Sequence, residues 1–176
     1  MPLIEFENVG VTFDTSTGQR TVLQDINLSL DERRIGIIGA NGSGKSTLVR
    51  LINGLAEPTS GHVRVAGLDV AKSGRQVRRK VGFVFSDADN QIIMPTVAED
   101  VAFSLRATSM NSQERKERAA AMLRTMGLEH LAESSPHFLS GGEKQLLALA
   151  AVLVMEPELV IADEPTTLLD LSLIHI

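Results

Sequence analysis

Residues Gly39 to Thr47 read GANGSGKST, a run that fits the spacing GxxxxGK[ST] with Gly39, Gly44, Lys45 and Ser46 at its fixed positions. No other feature constrains the chain as tightly. Glycine reaches backbone conformations that a Cβ forbids, so successive N–H groups in such a loop can turn inward onto one anion. Before the loop lies Arg34–Ile38 (RIGII), a short apolar run expected to be a strand buried on both faces of a parallel sheet. After it, Leu48, Leu51, Ile52 and Leu55 recur at helical spacing, with Gly54 near the end. Between a strand and a helix the loop is expected to cradle a nucleoside triphosphate, the helix adding about half a positive charge at its first turn. Lys45 then reaches the β- and γ-phosphates, and the Ser46 hydroxyl takes one Mg²⁺ position. The candidate nucleotide-binding set here is Gly39, Asn41, Gly42, Ser43, Gly44, Lys45, Ser46 and Thr47.

A chain of 176 residues can bury one core, and its 43% hydrophobic and 22% charged content is that of an ordinary globular protein. Its net charge of −5, without a basic tail, argues against a dedicated nucleic-acid binder, so no nucleic-acid partner is expected. It does not argue against a phosphate ligand, because backbone N–H groups and one or two cations build that site locally. Cysteine is absent, which excludes disulfides and thiolate metal sites. No signal peptide is evident at the start. The most apolar stretch, Leu146–Met155, covers 10 residues where a membrane span needs about 20, so work at a membrane is expected to go through partners.

Short strands are expected at Leu3–Phe6 and Thr21–Leu30 with a turn over Asp14–Gly18, a hairpin over Gly61–Val70, and a buried strand in Lys80–Phe85. From Thr96 to Met155 the pattern becomes helical. It opens on a capping box at Thr96–Glu99 and includes a charged helix over Ser112–Met126 that Gly127 stops. Leu159–Ala162 (LVIA) reads as a third buried strand, and Asp163 and Glu164 follow it. Ligands of open α/β sheets lie at the carboxyl ends of strands, and neighbouring strand residues point opposite ways. Asp163 is therefore assigned to the Mg²⁺ shell and Glu164 to orienting and deprotonating an attacking water.

Leu139–Glu143 reads LSGGE, continued by Lys144 and Gln145. Ser140 and Glu143 have capping-box spacing, yet two glycines in a first turn each cost about 1 kcal/mol relative to alanine. A phosphate approaching the helix start would explain them. LSGGE resembles the signature motif of ABC-transporter ATPases. With GANGSGKST, LVIADEPT (Leu159–Thr166) and Leu168–Leu169–Asp170, it makes four family motifs in the family's order. The resemblance implies an α/β phosphate-loop NTPase with a RecA-like core, an N-terminal antiparallel β subdomain and a helical subdomain. A single ATPase domain is expected over 1–171, with core and β subdomain at about 1–86 and 156–171 and the helical signature subdomain at about 87–155. The resemblance further implies that ATP and Mg²⁺ are sandwiched between two such subunits, identical or paralogous. Ser140, Gly141 and Gly142 then complete the partner's site, and Phe13 stands where the family stacks an aromatic ring on adenine. Integral membrane components are expected to dock near Ser86–Gln91, placing the chain at the cytoplasmic face of the membrane. A soluble family member acting on DNA or ribosomes, or a fragment that binds ATP without turnover, stays open as the alternative.

Two departures stand out. The family places a glutamine after the KVGFVF strand, where this chain has Ser86; its next glutamine is Gln91. The run Ser86–Gln91 and Pro95–Leu105 resemble ATPases of energy-coupling-factor importers, those for biotin more than those for cobalt or nickel. Whether Gln91 takes over the missing sensor role is left open by the residues. The resemblance also implies further helix and strand after Asp170, ending in a histidine at the γ-phosphate. His175 follows Asp163 too closely for that part, and residues 172–176 (SLIHI) resemble a non-native tail, so the C-terminus is expected to be incomplete.

Overall fold

The computed structural model describes residues 3–16 and 18–164. They fall into two compact units divided between Val81 and Gly82. In the first, strands β1 (Ile4–Thr15), β2 (Gly18–Leu30), β3 (Ser60–Val65) and β4 (Leu68–Asp69) form an antiparallel sheet in the order β2-β1-β3-β4. Both β1 and β2 run longer than the apolar alternation indicates. Their far ends, Thr12–Thr15 against Gly18–Thr21, are held by ladder pairing and by a Thr12–Thr21 hydroxyl bond of 3.1 Å, without apolar burial.

The buried residues of β1 are Ile4 and Phe6, then Val9 and Val11, so the period of two breaks once. A bulge between Phe6 and Val9 absorbs the odd residue, with Asn8 at φ 49 and its N–H donating to Asn27 Oδ1 at 2.9 Å. Without it, one of the two apolar pairs would face solvent. Helices α1 (Lys45–Ile52) and α2 (Val70–Lys80) both pack on β3. They contribute Val49, Leu51 and Ile52, and Val70 and Val77, to the buried set.

The second unit contains β5 (Val81–Val84, starting at the boundary), α3 (Val97–Ser104), α4 (Ser112–Thr125), α5 (Gly141–Leu153) and β6 (Leu159–Ala162). The three helices close around Val97, Val101, Leu123, Leu128, Leu147 and Val154. The helix expected over Ser112–Met126 is α4, which carries a complete capping box from Asn111 and Glu114; Gly127, at φ +73, follows its end. At the start of α3, Glu99 bonds the Thr96 hydroxyl at 3.0 Å, so only the Thr96 half of the expected box serves a backbone N–H. The other end of α5 is tied down by Arg118 of α4, which donates to the Val154 carbonyl at 3.0 Å and pairs with Glu156 at 2.7 Å.

Two expectations about strands are corrected. Arg34–Ile38 is not a strand: residues 31–40 are all exposed, Ile38 at 98%. A buried parallel strand needs neighbours on both edges to take its N–H and C=O groups. Among the described residues, the sheets are the four-stranded one and β5–β6, and neither takes this segment in. For the same reason LVIA, with β5 as its strand neighbour, buries only Ile161. The segments Leu168–Asp170 and 172–176 lie outside the described residues.

One buried carboxylate organises the turn into α3. Asp100 Oδ1 accepts from the N–H groups of Ile93 at 2.9 Å and Met94 at 3.0 Å. Burial pushes its carboxyl up from the ordinary value, while these two bonds act in the opposite sense. Asp100→Ala orphans both donors and should lower the unfolding free energy by about 1–3 kcal/mol, read from a urea titration. An unchanged midpoint would deny Asp100 this role.

Candidate functional site

The glycine loop lies in the first unit. Gly42 and Gly44 have φ of 76 and 94, and Gly44 is the N-cap of α1. The left-handed φ of Gly44 is what calls for glycine, and a Cβ there would also be crowded, 3.0 Å from Leu23 and 3.2 Å from the Val22 carbonyl. No side chain caps α1. Its first-turn N–H groups have no intrahelical acceptor and carry the positive end of the helix dipole. The Lys45 ammonium donates to the carbonyls of Gly39 at 2.9 Å and Ala40 at 3.0 Å. Gly39, Asn41, Gly42 and Ser43 are exposed, and Ser46 and Thr47 half-buried. In the same unit Phe13 is 48% exposed on β1 opposite Arg20, so it is not a core residue and has a ring face to offer.

The two acids and the diglycine helix lie in the second unit. The Asp163 N–H donates to the Val84 carbonyl at 3.0 Å, extending the β5–β6 pairing one residue past Ala162. Asp163 is 6% exposed, whereas Glu164 is exposed with φ 53, a left-handed conformation that a glutamate enters at a cost. The two neighbouring acids thus differ in burial and in backbone conformation. Ser46 and Asp163 supply hard oxygen donors, the chemistry that Mg²⁺ selects.

Helix α5 opens on a complete capping box. Ser140 Oγ accepts from the Glu143 N–H at 3.3 Å, and the Glu143 carboxylate accepts from the Ser140 N–H and from its hydroxyl, both at 2.7 Å. The box serves the Ser140 and Glu143 amides. The Gly141 and Gly142 N–H groups between them have no intrahelical acceptor and no Cβ to shield them. The capping box and the two glycine amides therefore share one turn.

Beyond β5, Ser86 begins a segment that the sequence reading treats as a docking surface. Asp87 caps the turn Ala88–Asn90, accepting from the Asp89 N–H and the Asn90 amide, each at 3.0 Å. Asp89 pairs with Lys144 at 2.7 Å. Gln91 Oε1 accepts from the Phe85 N–H at 3.2 Å, and its Nε2 donates to the Ala148 carbonyl at 3.0 Å. Gln145 Nε2 donates to the Phe85 carbonyl at 3.3 Å. Lys144 and Gln145 received no role from the sequence. The available signal was spacing: Ala148 stands at i+4 from Lys144 and at i+3 from Gln145.

The family model described as ABC transporter matches residues 23–167. The biotin transport ATP-binding protein BioM of Rhizobium etli is 46% identical over 169 residues, covering 96% of this chain and 73% of BioM. The energy-coupling factor transporter ATP-binding protein EcfA1 of Methanospirillum hungatei is 47% identical over 138 residues, covering 78% of this chain and 50% of EcfA1. Among solved structures, the dimeric post-hydrolysis state of the ATP-binding cassette MJ0796, bound to ADP and Pi, superimposes with a TM-score of 0.85. The two are 32% identical, over 96% of this chain and 77% of that one.

The two bonds from Ser140, first from its hydroxyl and then from its backbone, hold the Glu143 carboxyl below its ordinary value of 4.5. A carboxyl lowered on folding contributes stability above its unfolded value and loses it as pH falls through the folded one. Wild type should therefore be more stable than Glu143→Gln near neutral pH, and the gap should close as pH drops below 4.5. Paired denaturation curves across that range measure it; a gap independent of pH would remove the charged cap.

Proposed function

This chain belongs to the ABC transporter family as an ATP-binding subunit, and we propose that it powers an energy-coupling-factor importer of a vitamin or metal ion, biotin ahead of cobalt or nickel. The observation that carries the ATPase reading is the start of α1 at a left-handed Gly44 with no side-chain cap, in a loop whose Gly39 and Ala40 carbonyls take the Lys45 ammonium. The importer class is supported by the similarity to BioM and EcfA1 and by the resemblance of the Ser86–Gln91 run to such ATPases.

In this reading the loop from Gly39 to Thr47 binds the phosphates through its amides, with Lys45 reaching the terminal ones. The Phe13 ring stacks on the base. Ser46 and Asp163 would hold Mg²⁺, which when bound neutralises negative charge on the phosphates. Glu164 orients the attacking water and takes its proton. Ser140, Gly141 and Gly142 bind the triphosphate held by a second ATPase subunit, the same chain or a paralogue, so that a pair is the hydrolytic unit. The division into a core of about 1–86 and 156–171 and a signature subdomain of about 87–155 belongs to the same proposal. A membrane component docks at Ser86–Gln91 and carries the solute, holding the chain at the cytoplasmic face. No helix among the described residues is long and apolar enough to cross a membrane.

In the full-length protein, Lys45→Ala should abolish ATP binding in a fluorescent-nucleotide titration. Glu164→Gln should bind ATP as wild type does and hydrolyse it about 100- to 10,000-fold more slowly, a barrier increase of roughly 3–5 kcal/mol. Unchanged hydrolysis would remove Glu164 from its role. The importer assignment is checked by purification from membranes, where an integral membrane protein should accompany the chain; ribosomes or DNA in its place would overturn it.

A further inference from the structure

We propose that Gln91 is a positioning residue and not a nucleotide or metal ligand: with Lys144 and Gln145 it locks the 86–91 segment to α5, so that the docking surface and Ser140–Gly142 move as one body. The inference rests on the function proposed above for those two surfaces.

The lock is built on one residue. The Phe85 N–H is taken by the Gln91 oxygen and the Phe85 carbonyl by the Gln145 amide, so glutamines from two elements grip a single strand exit. The Gln91 nitrogen donates to the Ala148 carbonyl of α5. With its oxygen bonded to the Phe85 N–H, its nitrogen bonded to the Ala148 carbonyl and its side chain half-buried, Gln91 has its amide plane held between the strand exit and α5. Beneath this network Val84, Ala88 and Ala148 are buried against each other, giving the segment and the helix a common apolar floor.

An ion pair closes the outer side. Lys144 is 19% exposed in its side chain and reaches Asp89, which is 65% exposed, at 2.7 Å. Asp89 thus presents a carboxylate to an approaching partner while bonded one residue beyond the signature's Glu143. On the far side, Asp100 holds Ile93 and Met94 to α3. A segment fixed at both ends in this way does not absorb displacement by flexing. It hands the displacement to α5, whose first turn carries the glycine amides.

Gln145 supplies a clean probe. It is 4% exposed, and its Oε1 has no hydrogen-bond partner among the described residues. Replacing it with methionine removes that unmet acceptor along with one hydrogen bond, so Gln145→Met keeps the fold while loosening the grip on Phe85.

The test uses the full-length protein and two independent readouts. Without nucleotide, Asp89→Lys should speed hydrogen exchange of the Ser140–Glu143 amides by about tenfold, and adding Lys144→Asp should restore it, as a direct pair does in a double-mutant cycle. With ATP, Gln91→Ala and Gln145→Met should lower kcat by about tenfold while leaving KM for ATP and the Mg²⁺ requirement within about twofold. Exchange that ignores Asp89→Lys, or that the swap fails to restore, overturns the lock. So does a Gln91→Ala protein that needs about tenfold more Mg²⁺ at unchanged kcat, since that behaviour belongs to a metal ligand. The exchange arm needs no ATP, so a chain that bound no ATP would sink the proposed function and still leave this arm to decide the lock.

Discussion

Burial of α5 is the constraint on which the second unit depends. Leu147 and Ala150 face the helical core, Ala148 faces Val84 and Ala88 at the end of β5, and Gln145 is buried with them. A helix enclosed on that many sides cannot rotate without breaking two apolar contacts at once. At its far end, Gly82 lets β5 pass so close to Val152 and Pro157 that any side chain there would collide. The position of the Gly141 and Gly142 amides is thereby set by packing many residues away from them.

Two helix starts in this chain solve the problem of unsatisfied N–H groups in different ways, and the difference matches the tasks proposed for them. Helix α1 begins at a left-handed glycine with no side-chain cap, and its Lys45 is bonded to the loop carbonyls of Gly39 and Ala40. Helix α5 is the signature start, proposed to meet a nucleotide only when two subunits come together. Ser140 and Glu143 hold it in shape meanwhile, serving their own two amides and not those of the glycines between them.

Much of this was legible in residues read one segment at a time. Turn chemistry and alternation located the β1–β2 and β3–β4 pairings, and capping spacing located the starts of α3 and α5, because those signals are local. The antiparallel sheet is longer than the alternation because strand ends held by ladder bonds need no apolar residue. The bulge at Asn8 was missed although the parity change from Phe6 to Val9 records it. Arg34–Ile38 failed for the opposite reason. Its apolar character states what the segment would do between two parallel strands, and strand neighbours are not a property of the segment.

The glutamine question turns on the same distinction. From sequence, Ser86 is an absence and Gln91 a candidate substitute, because position relative to a motif is all that can be compared. What separates a ligand from a positioning residue is where the amide's donors and acceptors are already spent, and that depends on Phe85 and on Ala148, 57 residues away in the chain. Nothing near Gln91 in sequence announces Ala148. The pairing becomes intelligible once α5 is buried against the end of β5, for then a backbone carbonyl and a strand exit lie within reach of one side chain. A serine at 86 followed by a glutamine at 91 is, on that view, a chain in which the segment's polar capacity is directed toward the helix that carries the signature.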